Sequence, residues 1–251
     1  MDYRESYSAF DKSSKNARKL SQECAGIPSP HGKHFYASVL FTRLCVGAVS
    51  LQSLCPDPGL LGRDAHWDYV STCSLARNII ECYLTFYYLC IQKVPEPEWE
   101  ARWRLLNLHD CTQRAKMFEC VNIAPEEEAA KVIKLTAQEL RENTYFKSLP
   151  EKQQQHYLKG NTALFMSQDD IVRAYGGDVS DFRFMYRFLS NQVHSFPMSF
   201  YRVGEQERGR GVESELEVGY TSLCLDTARQ YLDRACKEYD DLFRTIRKIL
   251  V

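Results

Sequence analysis

The chain of 251 residues is 44% hydrophobic and 26% charged, which is enough apolar material for one large core or two modest ones. Thirty-two Lys plus Arg stand against thirty-three Asp plus Glu, and the formal charge of -1 excludes a global field that would draw the chain onto nucleic acid or an anionic membrane. Any polyanion site must therefore be a local cluster.

The opening MDYRESYSAFDKSSKNARK is polar where a secretory signal needs an apolar run, so a cytoplasmic location is expected. Helical periodicity predicts a first helix over about Asp2–Cys24, stopped by AGIPSP, and a second over about Lys33–Leu54, stopped by CPDPG. Asp64 is a candidate N-cap for a third helix that runs to the break at Pro95 and Pro97 and reads as the buried centre of the fold. Its run CYLTFYYLCI covers about half the roughly 20 residues of a membrane span, and no membrane partner is expected.

Pro97 opens the next helix with acids in its first turn and bases later, as the helix dipole favours. APEEEAAKVIKLTAQELREN repeats that signature, with Glu139 on a solvated face. Two short helices follow, one closed by Gly160 and one running from a Ser167 cap to Gly176. The aromatic segment DFRFMYRFLSNQVHSFP forms a helix from near Ser180. Residues 203–219 read as a mobile loop, with a short extended piece where Val212, Ser214, Leu216 and Val218 alternate with glutamates. A final helix spans about Ser222–Ile249. The expected fold is all-α, a single bundle of about eight or nine helices. Residues 1–63 form an N-terminal hairpin packed on a 64–251 core domain.

Ten cysteines lie in apolar helical context without a single C-x-x-C pair, so they read as structural thiols rather than a metal site. His109 and Cys111 come nearest to a ligand pair, but neighbours two apart on a helix face different ways. No metal and no cofactor are expected.

Two polar constellations carry the chemistry. At about 100° per residue, Arg183, Arg187 and Ser190 each fall within about 40° of His194, with Asn191 and Tyr186 flanking them. Guanidinium groups bind phosphoryl oxygens bidentately and an imidazole moves protons near neutral pH, so the stripe suits a phosphate. It equally suits a solvated helix face whose histidine meets a carbonyl ahead of Pro197. The second constellation is Arg77, Asn78 and Glu81, set in the most apolar helix, where charges need partners from another element. They read either as a structural ion pair or as groups that orient Arg187 or His194.

SLARNIIECYLTFYYL, ENTYFKSLPEKQQQHYLKGNTALF and DIVRAYGGDVSDFRFMYRFLSNQVHSFP, in that order, resemble an uncharacterised family of bacterial helical proteins, over about residues 64–202. Its pattern of Arg-x-x-x-Glu followed by Tyr-x-x-x-Ser-x-x-x-His falls here on Arg77 and Glu81, then Tyr186, Ser190 and His194. More loosely, Arg187, six residues and His194 resemble the motif of HEPN ribonucleases, the higher eukaryotes and prokaryotes nucleotide-binding proteins, although Phe188 stands where those carry a polar residue. That second resemblance implies a HEPN-like core and metal-independent cleavage of RNA by attack of the ribose 2′-hydroxyl. His194 would be general acid or base, Arg187 would stabilise the phosphate transition state, and Arg183, Ser190, Asn191 and Tyr186 would hold substrate. It also implies a homodimer and a toxin or phage-defence effector with a protein antitoxin or regulator as partner. Two other readings stay open: a helical interaction protein without chemistry, and a DNA reader built from the short helices around GGDVS.

Overall fold

In the computed structural model, which describes residues 2–61, 65–123, 127–194, 196–201 and 211–250, those residues form eleven α-helices and no strand. Helix α1, Tyr3–Glu23, opens on Asp2, whose carboxylate accepts the Arg4 N–H at 2.9 Å. Helix α2 is Gly32–Leu54, capped by His31 Nδ1. Helix α3, Tyr69–Phe86, is capped by Asp68, which accepts the Ser71 N–H at 3.0 Å; the expected cap Asp64 lies outside the described residues. A π-helical turn, Tyr87–Ile91, carries α3 to the proline break. Then come α4, Glu96–Glu119; α5, Glu127–Glu142; α6, Thr144–Ser148; α7, Glu151–Tyr157; and α8, Gln168–Ala174. Helix α9 is Val179–Val193, α10 is Pro197–Phe200 and α11 is Glu215–Leu250.

The helix count exceeds the eight or nine expected because small caps subdivide the chain. Asn143 accepts the Phe146 N–H at 3.0 Å and opens α6, Pro150 opens α7, and Pro197 opens α10 directly after α9. The expected extended piece at 212–218 is overturned from Glu215 onward, which is helical. Ser214 accepts the Glu217 N–H, and the buried Glu217 carboxylate takes the Gly211 N–H and the Ser214 hydroxyl, a variant of the reciprocal capping box that starts α11 about two turns early. Of the expected loop, residues 203–210 lie outside the described residues.

The chain falls into two compact units, residues 1–91 with 171–251 and residues 92–170. In the first, α1, α2, α3 and α11 pack against one another, with α9 laid on α3. Phe41 stacks on Tyr239 at 4.1 Å between ring centroids, and Phe10, Trp67, Tyr83, Phe86 and Phe243 complete the aromatic interior. The thiols of Cys73 and Cys224 meet at 3.4 Å in this core, and burial pushes the Cys45 and Cys82 thiols up to about 11. Helix α2 is long and apolar enough to cross a membrane, and here it buries Phe41, Leu44, Ala48 and Leu51 against its helical neighbours. In the second unit, Ala101, Leu105, Leu108, Leu140 and Phe146 form a separate core, and the buried Arg102 is held by Glu98 at 2.6 Å and Gln92 at 2.9 Å.

One core carboxyl ties stability to pH. Burial between α3 and α11 pushes Glu238 up to about 7, against the opposing pull of the Tyr83 hydroxyl, 3.1 and 3.2 Å from its two oxygens, and of the Arg234 charge. The folded chain thus keeps a proton that an ordinary unfolded carboxyl loses near pH 4.3. The stability that this proton contributes is complete below that pH and is lost as pH rises through about 7. In urea unfolding at a series of pH values, the Glu238→Gln variant should therefore show a flatter stability profile between pH 5 and 7 than the native chain.

Candidate functional site

Helix α3 turns its β-branched and aromatic groups inward, burying Thr72, Cys73, Ala76, Ile79, Ile80 and Tyr83. Arg77 and Glu81, one turn apart, lie on the face that meets α9. The Arg77 side chain keeps 19% of its surface exposed and Glu81 39%, so neither charge is fully solvated or fully desolvated.

Four side chains meet there. Arg77 Nε donates to Glu81 Oε1 at 3.0 Å and Nη2 donates to the Tyr186 hydroxyl at 3.1 Å. The Tyr186 hydroxyl in turn donates to Glu81 Oε1 at 2.5 Å, closing a three-membered ring of hydrogen bonds. The remaining nitrogen, Nη1, lies 3.1 Å from His194 Nε2. A guanidinium has only donors, so Nε2 accepts and the imidazole proton resides on Nδ1. Burial opposes the Arg77 charge, but the Tyr186 hydrogen bond and the Glu81 carboxylate outweigh it and hold the guanidinium above its ordinary value. The guanidinium carbon also sits 5.0 Å from the Tyr186 ring centroid, a cation–π contact.

Local geometry explains how His194 reaches across. It is the C-cap of α9, its N–H bonded to the Ser190 carbonyl at 3.1 Å, so its side chain leaves the helix where the backbone ceases to wind. The imidazole itself is exposed and lies 5.5 Å from the Phe196 ring.

The stripe read from the helical wheel is present on α9 but divides in two. Tyr186 and His194 join Arg77 and Glu81, whereas Arg183 and Arg187 are exposed, and no hydrogen bond or ion pair joins the Arg187 side chain to the four. Ser190 and Asn191 turn back on their own helix, donating to the Tyr186 carbonyl at 2.6 Å and the Arg187 carbonyl at 2.7 Å. Asn78 is exposed and outside the cluster. The wheel sorts residues within one helix, so it could not reveal that Arg77, from another helix, is the cation beside His194. The shared four-residue steps on α3 and α9 were the available signal. Among the described residues no three His, Cys, Asp or Glu groups converge to hold a metal. A polar groove of about 410 Å³ between α1 and α11, lined in part by Lys19, Glu23, Asp233 and Asp240, shares no residue with the cluster.

Removing Glu81 takes one acceptor from both Arg77 and Tyr186. Glu81→Ala should cost about 1–2 kcal/mol in urea unfolding, less than a fully buried pair because water reaches the site, and Glu81→Gln should cost less by keeping an acceptor.

Comparison with known proteins adds one finding: residues 34–211 match DUF5677, a family of unknown function. No curated protein and no solved structure matches the chain.

Proposed function

Since the chain belongs to DUF5677, a family whose function is unknown, its activity has to be argued from the Arg77 cluster, and we propose a metal-independent endoribonuclease with a HEPN-like site. The supporting observation is the 3.1 Å contact between Arg77 and His194 on an exposed surface. It places a permanent cation beside a neutral imidazole whose Nε2 lone pair is directed and accessible once another acceptor engages the guanidinium.

An incoming RNA phosphate is such an acceptor. Its oxygens take over the Arg77 Nη1–H, with Arg187 an exposed cation on the neighbouring α9. The released Nε2 removes the proton of the ribose 2′-hydroxyl. The O2′–P bond forms, the P–O5′ bond breaks, and the departing 5′ oxygen receives the proton that Nε2 took. Arg77 and Arg187 offset the charge that develops on the phosphorane-like transition state. Glu81 and Tyr186 keep the Arg77 fork in place, so they are positioning residues. The rival is an interaction protein in which the same hydrogen bonds simply fasten α9 to α3, and the mutual pairing of Arg77, Glu81 and Tyr186 favours it.

The two readings part in one assay. Purified protein in EDTA should cut RNA to fragments ending in a 2′,3′-cyclic phosphate, and His194→Ala should slow this about 100-fold or more while circular dichroism stays native. Arg187→Ala and Arg77→Lys should each slow it as well. Undiminished cutting by a folded His194→Ala, Arg187→Ala double variant places the activity elsewhere, and intact RNA with wild-type protein supports the rival.

A further inference from the structure

Large apolar side chains are exposed along α9 and just past His194. Phe184 on α9 is 70% exposed, Phe196 is 51% exposed beside the His194 ring, and Tyr201 directly after α10 is 73% exposed, with Phe200 half-exposed next to it. Aromatic residues in a helix of this composition read as core, and Phe182 fulfils that expectation while Phe184 does not. Their exposure is therefore a property of this face that packing within the described residues does not absorb.

The face is basic as well as aromatic. Relative to Phe184, Arg187 and His194 fall within about 80° on the same side of α9 and extend about 15 Å along it. The carboxylates nearest in sequence, Asp178 and Asp181, precede Phe184 at the N-terminal end of α9, with the exposed Asp181 one turn away and Asp178 capping the helix by accepting the N–H groups of residues 180 and 181, while at the His194 end the Glu81 carboxylate is taken up by Arg77 and Tyr186. An occupant of this strip must present flat apolar surfaces to Phe184 and Phe196 and negative charge to Arg187. A second protein offers either property, but a regular alternation of the two along one line belongs to a single-stranded nucleic acid, whose bases stack on aromatic rings while its phosphates track cations. A duplex hides its bases and cannot use the rings.

We propose that the strip from Phe184 through Arg187 and His194 to Phe196, with Phe200 and Tyr201 at its end, is a stacking platform for unpaired RNA. This rests on the ribonuclease reading for the identity of the strand, and it sets the substrate class: single-stranded or loop RNA, with roughly four nucleotides in register at about 3.4 Å per stacked base. His194 lies at the Phe196 end, so the phosphate beside the base stacked on Phe196 is the one delivered to Arg77.

The test is fluorescence anisotropy with a labelled 2′-O-methyl RNA octamer, which lacks the nucleophile and survives the measurement, beside its blunt duplex. The single strand should bind more tightly than the duplex. Phe184→Ala and Phe196→Ala should each weaken it about 5- to 100-fold, corresponding to loss of one stacked base. Phe196→Trp should retain binding and Phe196→Leu should not, because an apolar protein contact would tolerate leucine whereas stacking does not. Unchanged affinity in both alanine variants overturns the platform. So does sedimentation showing a wild-type dimer that Phe184→Ala dissociates without any change in RNA affinity, which would make the face an interface between copies. The ribonuclease reading fails separately: ring-dependent binding with no cutting of unmodified RNA leaves the platform standing and removes the nuclease. Cutting that requires His194 but ignores both rings removes the platform alone.

Discussion

A guanidinium held half-buried on the apolar helix α3 has to be met by acceptors, and that demand organises everything around it. Arg77 at the α3–α9 seam is withdrawn enough from water that its donors need acceptors from the chain. Glu81 alone cannot satisfy a planar fork of five donors. Tyr186 fills the second direction and in turn donates to Glu81, so three groups are locked by each other. The third direction is met by His194 at the surface, where the same charge that fastens two helices also confronts solvent.

The backbone makes that last contact available. A histidine one turn earlier would be fixed in direction by the helix, and one much later would have no fixed place. As the C-cap, His194 is anchored by its N–H to Ser190, and Pro197 begins the next helix three residues on. An imidazole is thereby held at the surface beside the Arg77 cation by the geometry of a helix terminus. The Arg77–Glu81–Tyr186 ring, by contrast, would serve packing equally well.

Local side-chain detail escapes a window average in two places. Val212, Ser214, Leu216 and Val218 alternate with glutamates and so imitate a strand, yet Ser214 and Glu217 stand at the three-residue step of a capping box and nucleate α11. Phe182 and Phe184 stand two residues apart on α9, and the first is buried while the second is exposed. Periodicity weighs average composition over a window, whereas a cap or an exposed ring is decided by one side chain and its immediate neighbours.

The all-helical class, the central position of α3, the alignment of Arg183, Arg187, Ser190 and His194 on one stripe, and the need of Arg77 and Glu81 for partners were all determined by the sequence itself. Each depends on covalent spacing and local winding, which a helical wheel represents faithfully. Only the tertiary structure decided which members of the stripe meet α3. Tyr186 and His194 reach Arg77, Ser190 and Asn191 bond their own backbone, and Phe184 faces water. The rotation of one helix against another is set by the packing of both surfaces at once, and no single segment carries that information.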